Sequence, residues 1–215
     1  LFRSKAKRPL IMCEYSHAMG NSNGTLKEYW DAIHSLKGLQ GGFIWEMWDH
    51  GLDQTLPDGT KRSAYGGNYG EKKHDGNFVC DGMFFPDRRP KPAMEEFKYL
   101  AAPVTIKKKG AKYEVFNKHF FIDLSGYKLQ YEITVDGLPK ASGAIKLPAV
   151  KPRKAALISI PATALKVEGA GERFLTISLI DKSGNEVAWE QFALKASTSA
   201  KPKIAKESPV AKMRQ

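Results

Sequence analysis

The sequence of 215 residues has few cysteines, no long apolar run and no stripe of basic and aromatic residues on one element. Cys13 and Cys80 are too few for a disulfide framework, and neither has a metal-binding spacing, so we expect two buried free thiols. No stretch of about 18 apolar residues is present, which argues against a membrane-spanning helix. The first residues also lack the apolar region of a signal peptide.

The net charge of +11 comes from 34 Lys and Arg residues against 23 Asp and Glu residues. An excess of this size would permit binding to nucleic acid or to another anionic surface. The basic residues are scattered, however, and no recognition motif or stripe of basic and aromatic residues accompanies them. We therefore expect a solvated basic surface, with no nucleic acid and no membrane among the partners.

An apolar run, a helical pattern and a second apolar run follow one another near the start of the chain. Residues 9–15 and 41–48 are typical of strands that are buried on both faces. Between them, Thr25 and Glu28 have the spacing of a capping box, with Thr25 as the N-cap of a helix that ends near Gly38. The order strand, helix, strand predicts a βαβ unit with parallel strands, which is too little to form a domain.

The rest of the chain changes in character twice. Residues 49–95 are rich in Gly, Asp, Asn and Pro and show no further βα pattern, so residues 1–100 are predicted to be the end of a larger α/β domain. From 101 to 195, short alternating strands are separated by turns such as Asp-Gly at 136–137, which predicts an immunoglobulin-like β-sandwich. Residues 196–215 have no apolar periodicity and are predicted to be a linker or tail.

Three residues at the predicted strand ends could carry chemistry. Glu14 lies at the edge of a parallel sheet where active sites form, or it is simply held there by a salt bridge or hydrogen bond. His17, in the loop that follows, could bind a ligand or orient Glu14, or be merely solvated. Trp45, at the end of the second strand, could support a sugar ring or pack in a core.

Further along the chain, the Phe78 carbonyl and the Asp81 carboxylate could together ligate a hard cation, although this spacing is not specific by itself. Glu46 and Asp49 are possible second carboxylates. If the strand continues, alternation places Glu46 on the face opposite the tryptophan before it, so we do not pair it with the first-strand glutamate. The sequence thus offers no evident second carboxylate for catalysis by two carboxyl groups.

Three blocks of this sequence resemble β-galactosidases of glycoside hydrolase family 2. Residues 13–22, Cys-Glu-Tyr-Ser-His-Ala-Met-Gly-Asn-Ser, are similar to the nucleophile motif of that family. Residues 39–45, Leu-Gln-Gly-Gly-Phe-Ile-Trp, resemble the strand that follows. Residues 65–88 contain the third block, with Tyr-Gly-Gly-Asn-Tyr-Gly and then Phe-Val-Cys-Asp-Gly-Met. The blocks stand in the family's order, and the resemblance covers residues 8–100, with a looser match in the sandwich.

The resemblance implies an α/β plus all-β chain: the C-terminal part of a (β/α)8 TIM barrel followed by an immunoglobulin-like β-sandwich. It implies that Glu14 is the catalytic nucleophile of a retaining β-galactosidase. His17 would contact a galactose hydroxyl, and Trp45 would support the apolar side of the sugar. Phe78 would line the substrate pocket, and its carbonyl together with Asp81 would hold Na⁺ or K⁺. Some members of the family have Asn where this chain has Asp81.

In this family the acid/base carboxylate and the Mg²⁺ ligands come from earlier barrel strands, so the resemblance implies that both lie upstream of this chain. We therefore expect the chain alone to be inactive on terminal β-D-galactose and to need the missing N-terminal part of the parent enzyme as its partner. Its apolar faces should form a larger patch than most monomers tolerate. Whether the parent is a homo-oligomer, and whether it is cytoplasmic or periplasmic, stay open.

Two other interpretations fit the sequence less well. A relative with a different sugar choice, such as a β-glucuronidase or β-mannosidase, is disfavoured by the galactosidase-like string at residues 13–22. A non-catalytic carbohydrate-binding or scaffolding module would need an aromatic platform on the sandwich. Its only candidates are Tyr113, Tyr127 and Tyr131, and strand alternation should bury at least some of them.

Overall fold

The computed structural model describes residues 7–167 and 171–195. These residues form mostly β-strands, together with two α-helices and one short 3-10 helix. The chain divides into two compact units, Leu1–Ala101 and Ala102–Gln215. The predicted linker or tail at 196–215 lies outside the described residues. None of the helices in the described part is long and apolar enough to cross a bilayer.

The first unit opens with strand β1 (Leu10–Tyr15), helix α1 (Leu26–Ser35) and strand β2 (Leu39–Ile44). The two strands pair in parallel, which confirms the predicted βαβ unit. Strand β2 ends earlier than predicted, because residues 46–50 turn away and form backbone hydrogen bonds with residues 79–84. The described part of this unit contains no closed barrel, and its βαβ unit is consistent with a segment of one.

Three local predictions for this unit are wrong. Strand β1 is not buried on both faces: Tyr15 is its only buried residue, because β1 has a single neighbouring strand in the described chain. For the same reason, the Cys13 thiol is exposed. The capping box does not form either, since Thr25 has a φ of 65° and its side chain makes no capping hydrogen bond. A capping side chain requires an extended backbone at that position.

Two elements of this unit were not predicted. Strands β3 (Leu52–Thr55) and β4 (Lys61–Ala64) form an antiparallel hairpin within the Gly- and Asp-rich region. Helix α2 (Ala93–Ala101) follows, and the ring of Phe97 packs edge-on against Trp30 of α1 at 5.9 Å between centroids. This contact anchors the end of the loop region to the βαβ unit.

The second unit is an antiparallel β-sandwich, consistent with the predicted immunoglobulin-like architecture. One sheet has the strand order β5-β6-β9 and the other has the order β11-β10-β7-β8. The strands are β5 (Val104–Lys109), β6 (Lys112–Asn117), β7 (Lys128–Val135), β8 (Leu138–Ile145), β9 (Ala155–Ile158), β10 (Arg173–Ile180) and β11 (Glu186–Leu194).

The hydrophobic core lies between these two sheets. Val115 of one sheet and Leu175 of the other are both fully buried, and the Tyr113 ring packs on Phe192 at 4.8 Å. The predicted hairpin turn is confirmed: Asp136 and Gly137 have φ values of 49° and 77° and connect β7 to β8. Alternating inward-facing side chains therefore define a conventional two-layer core.

Candidate functional site

The carboxyl ends of β1 and β2 bring His17 and Trp45 side by side. Beyond the strands, the backbone N–H of Trp45 donates to the Tyr15 carbonyl at 3.1 Å. The backbone N–H of Ala18 in turn donates to the Trp45 carbonyl at 2.6 Å. These two bonds extend the parallel pairing by one step, so the loop that carries His17 is tied to Trp45.

The turn after β1 is held by a buried amide. Ser16 has a φ of 48°, a left-handed conformation that is uncommon outside glycine and needs support from its surroundings. Asn23, which is buried, supplies that support because its Nδ2 donates to the Ser16 carbonyl at 2.8 Å. The direction in which His17 leaves the strand is therefore fixed by Asn23, a residue that the sequence did not single out.

Asp81 is the hub of the site. Its Oδ2 accepts a hydrogen bond from Trp45 Nε1 at 3.1 Å and lies 3.6 Å from His17 Nε2. Its backbone carbonyl accepts from the N–H of Glu46 at 2.7 Å. The side chain is only 5% exposed, so a fixed and largely dehydrated carboxylate joins two residues from the ends of different strands.

Phe78 completes the group of predicted binding residues. Its ring lies 5.5 Å from the His17 ring between centroids and is exposed on its other side. A cavity of about 580 Å³ is lined by these two residues together with Met19, Tyr29 and neighbouring loop residues. Cavities of this size accommodate small ligands. A larger one of about 710 Å³ is lined by none of the predicted site residues.

Glu14 stands apart from this group. Its side chain is exposed near the end of β1, two residues before the Ser16 turn. Within residues 7–167 and 171–195, no hydrogen bond or ion pair joins Glu14 to His17, Trp45 or Asp81. The structure therefore brings four of the five predicted site residues into contact, and leaves Glu14 open to solvent on the neighbouring strand.

Glu46 is not where strand alternation predicted it, because β2 ends at Ile44 and the chain turns toward Asp81. Burial raises the pKa of the Glu46 carboxyl, and the adjacent Asp81 carboxyl raises it further. His50 Nε2 lies 2.9 Å from Glu46 Oε1 and acts in the opposite direction, by lowering the same pKa. Two carboxyl groups thus sit together beside Trp45, a pairing that residue spacing could not reveal.

The predicted Na⁺ or K⁺ site stays a prediction, and two carboxylate oxygens bear on it. Asp81 Oδ1 and Glu46 Oε1 are both buried and accept no hydrogen bond from the described residues. A monovalent cation is one group that could satisfy Asp81 Oδ1, since carboxylate and carbonyl oxygens suit hard cations. The described residues contain no cluster of three or more His, Cys, Asp or Glu side chains fit for a metal ion.

The three tyrosines named as candidates for a sugar-binding platform on the sandwich do not form one. Tyr113 is 4% exposed and packs against Phe192 in the core. Tyr127 and Tyr131 are half-buried against the same core, and the Tyr127 hydroxyl lies 3.2 Å from His119 Nε2. Stacking on a sugar requires an open ring face, which none of these rings offers as a shared flat surface.

Comparisons with known proteins agree with this division. Residues 2–106 match the family model of glycosyl hydrolases family 2, TIM barrel domain. Residues 113–195 match the model of beta-galactosidase, domain 4. Both units of the chain are therefore covered by models of glycoside hydrolase domains.

Solved structures of the exo-chitosanase CsxA from Amycolatopsis orientalis are also similar to parts of the chain. One is 22% identical over 54% of this chain and 14% of that chain, with a TM-score of 0.36. A complex of a CsxA variant with PNP-beta-D-glucosamine is 18% identical over 61% of this chain and 17% of that chain, with a TM-score of 0.37. The chain thus spans less than a fifth of the length of these enzymes.

Proposed function

We propose that the chain, whose two units match models of a glycosyl hydrolases family 2 TIM barrel domain and of beta-galactosidase domain 4, is part of a retaining β-galactosidase that acts on terminal β-D-galactose. The match to β-galactosidase domain 4 and the galactosidase-like string at residues 13–22 favour galactose over other sugars. In this proposal Glu14 is the nucleophile, and its acid/base partner lies upstream in the parent enzyme.

One observation carries the proposal. His17, Trp45, Phe78 and Asp81 come from three separate segments of sequence, yet they converge beside the end of the strand that bears Glu14. An imidazole and a carboxylate offer polar contacts for sugar hydroxyls. The indole and phenyl rings offer the apolar faces on which a sugar ring stacks. Such a mixture of few polar groups and aromatic walls is typical of carbohydrate pockets.

The exposed Glu14 carboxylate is accessible to a substrate, as a nucleophile must be. In the first step its oxygen forms a bond to the anomeric carbon while the bond from that carbon to the leaving oxygen breaks. A second carboxylic acid about 5–5.5 Å away protonates the leaving oxygen and then removes a proton from water, which releases galactose. We place that acid, and the ligands of Mg²⁺, in the missing N-terminal part.

The residues of this chain would then have distinct tasks. Trp45 is oriented by its bond to Asp81 and would support the apolar side of galactose. His17 would donate a hydrogen bond to a sugar hydroxyl from its fixed turn. The Phe78 carbonyl and Asp81 would hold Na⁺ or K⁺, which would supply positive charge next to the sugar hydroxyls. This assignment fits the unsatisfied Asp81 Oδ1.

The test is an assay on an aryl β-galactoside, with and without the upstream part of the parent supplied in trans. We expect no hydrolysis by the chain alone and hydrolysis by the mixture. Glu14→Gln should lower the activity of the mixture on the order of 10⁴-fold or more. Glu28→Gln, an equally exposed change on α1, is the matched control and should leave activity unchanged.

Two results would contradict the proposal. Activity of the lone chain would mean that a second carboxylate such as Glu46 or Asp49 had been wrongly dismissed. An assembled mixture that hydrolyses an aryl β-glucosaminide in preference to the galactoside would overturn the choice of sugar. Assembly is checked by co-elution of the two parts before either result is accepted.

A further inference from the structure

An ion pair is buried behind the candidate site and is not used by the proposed mechanism. Lys91 Nζ lies 2.8 Å from Asp49 Oδ1, and the two side chains are only 9% and 5% exposed. The pair joins residues 42 positions apart in sequence. Buried ion pairs often contribute little net stability, since the loss of hydration offsets their attraction. Stability alone is therefore a weak explanation for this one.

The Asp49 carboxylate also performs a second task. The same Oδ1 atom accepts a hydrogen bond from the backbone N–H of Gly82 at 2.8 Å. Gly82 is pressed against the neighbouring backbone, where an added Cβ would lie 2.1 Å from the carbonyl carbon of Trp48. The Gly82 peptide is therefore fixed by contact on one side and by the carboxylate on another.

Gly82 directly follows Asp81, the hub of the candidate site. The segment around them is bound by backbone hydrogen bonds to the segment after β2: Glu46 N–H donates to the Asp81 carbonyl, and Met83 N–H donates to the Glu46 carbonyl, each at 2.7 Å. These bonds set the two segments side by side. The bond from Glu46 holds the carbonyl end of the peptide between Asp81 and Gly82, and the Asp49 carboxylate holds its N–H end.

Lys91 holds the carboxylate in place. Its backbone N–H donates to the Met83 carbonyl at 2.9 Å, and its Nζ lies 5.4 Å from the centre of the Phe85 ring. Both contacts lie in the loop that carries Gly82. The ammonium group is thus positioned by this loop, and it holds the Asp49 oxygen toward the Gly82 N–H.

We propose that the buried Asp49–Lys91 pair positions the candidate site. Through its bond to the Gly82 N–H, it orients the Asp81 carboxylate toward Trp45 Nε1. Neither residue touches the substrate in this proposal. Its relevance to sugar binding rests on the proposed function, whereas the positioning itself is a property of this chain alone. It predicts that Trp45 keeps its hydrogen bond to Asp81 as long as residue 49 has an acceptor for the Gly82 N–H. The charges of the pair can then be removed without loss of that bond.

The experiment compares two uncharged versions of the pair in the full chain. Asp49→Asn with Lys91→Met keeps an acceptor for the Gly82 N–H, whereas Asp49→Leu with Lys91→Met removes it. The readout is the indole N–H resonance of Trp45 in a ¹H–¹⁵N spectrum, assigned by its loss in Trp45→Phe. The indole resonances of Trp30 and Trp189 report whether each unit stays folded.

We expect the Trp45 resonance to stay in place in the Asn version and to move upfield in the Leu version, because its bond to Asp81 is weakened. Asp87→Ala, which breaks an exposed ion pair with Arg89 in the same loop, is the control and should not move it. Movement in both versions, or in neither, overturns the proposal. If the Leu version unfolds the first unit, the Asn version decides alone: a shifted resonance refutes the proposal, and an unchanged one supports it.

A second readout separates this inference from the proposed function. In the assembled enzyme, loss of the acceptor should lower kcat/KM about 10- to 100-fold, mainly through KM, because Trp45 and His17 bind sugar in the proposal. If the resonance moves as expected but no galactosidase activity exists to measure, the positioning stands and the proposed function fails. If activity exists and the resonance does not respond, the positioning fails alone.

Discussion

The indole nitrogen of Trp45 donates a hydrogen bond to Asp81 Oδ2 over 3.1 Å and thereby ties the end of β2 to a loop 36 residues further along the chain. The other carboxylate oxygen of Asp81 is buried without a hydrogen bond from the described residues, as is Glu46 Oε1. The Asp81 side chain thus has one oxygen that accepts a hydrogen bond and one that does not.

Asp81→Asn should keep the site intact and stabilise the chain. The amide oxygen can still accept from Trp45, while the new NH₂ group can donate to the adjacent Glu46 carboxylate and removes the like-charge repulsion with it. We expect the free energy of unfolding to rise by about 1 kcal/mol, as measured by urea unfolding with tryptophan fluorescence. Asp81→Ala leaves the indole N–H without an acceptor and should lower it by about 1–3 kcal/mol. Equal losses in both variants would contradict the hydrogen-bond account.

Gly82 should tolerate no side chain. A Cβ there would lie 2.1 Å from the carbonyl carbon of Trp48 and 2.2 Å from the backbone nitrogen of Asp49, so the backbone must move. We expect Gly82→Ala to cost about 1–3 kcal/mol of unfolding free energy. Gly24→Ala is the matched control, because its Cβ would have open space and its φ is not left-handed. Similar stability of the two variants would show that the close approach at Gly82 is unimportant.

Much of the fold follows from local sequence patterns. The parallel β1 and β2 strands came from two apolar runs, and the turn between β7 and β8 came from the Asp-Gly pair at 136–137. Strand β8 escaped prediction because it contains Pro139 and Gly143, which weaken a strand signal and are tolerated since β8 lies at a sheet edge. Local patterns thus give most of the elements, but they miss β8 at a sheet edge, the β3–β4 hairpin and helix α2.

The candidate site was only partly predictable for a different reason. The resemblance to a family singled out His17, Trp45, Phe78 and Asp81, but not how they are held. The supports are tertiary hydrogen bonds between distant residues, such as Asn23 with Ser16 and Asp49 with Gly82. No periodicity marks such partners. Glu46 was misplaced because strand alternation was extended past the true end of β2.

Asn117 should be the most sensitive polar residue of the sandwich. It is fully buried, its Nδ2 donates to the carbonyls of Ile122 and Val150 at 2.8 and 3.0 Å, and its Oδ1 accepts from the N–H of His119 at 2.9 Å. Asn117→Ala leaves the Ile122 carbonyl and the His119 N–H without these bonds, while the Val150 carbonyl keeps its bond from the Leu124 N–H. We therefore expect a loss of about 2–3 kcal/mol in the free energy of unfolding.

Gln130→Ala removes a comparable amide from an exposed position on β7 and is the control for Asn117→Ala. It should change stability by less than about 0.5 kcal/mol. Urea unfolding followed by the indole ¹H–¹⁵N resonance of Trp189, which lies in strand β11 of the same unit, measures both variants. If both losses are small, water or rearranged backbone must satisfy the groups that Asn117 now satisfies.

The exposed apolar side chains of β1 and β2 should drive self-association. Ile11 is 57% exposed and Phe43 is 67% exposed, values that are high for neighbouring strands of one sheet. Contiguous apolar surface of this kind marks an interaction site or an aggregation risk. We expect Ile11→Thr with Phe43→Thr to lower the weight-average mass in sedimentation velocity.

Leu138→Thr is the control for that prediction, because Leu138 is similarly exposed, at 62%, but lies in the second unit. It should leave the sedimentation of the chain unchanged. In the proposed function the same β1 and β2 surface is covered by the upstream part of the barrel. Addition of that part should therefore suppress self-association of the native chain. If association persists in the assembled mixture, a surface other than that of β1 and β2 is responsible for it.

The turn between β10 and β11 should make the sandwich sensitive to acid. Asp181 Oδ1 accepts from the backbone N–H groups of Ser183 and Asn185, each at 2.8 Å, and its Oδ2 accepts from Asn185 Nδ2 at 3.1 Å. These donors, the Asn185 backbone N–H first, lower the pKa of the Asp181 carboxyl below its ordinary value. The folded state therefore favours the ionised carboxylate more strongly than the unfolded state does.

Because this pKa is lowered by folding, the stabilisation is fully present above the ordinary Asp pKa of about 3.9 and is lost as the pH falls through the lowered value. Asp181→Ala should thus be less stable than the native chain at pH 7, and the difference should shrink once the pH falls below about 4. Urea unfolding followed by the indole ¹H–¹⁵N resonance of Trp189 at both pH values measures it. Asp181→Asn also lacks the titrating carboxyl, so its difference from the native chain should shrink over the same pH range as that of the Ala variant. If neither difference changes with pH, the charge of Asp181 does not stabilise this turn.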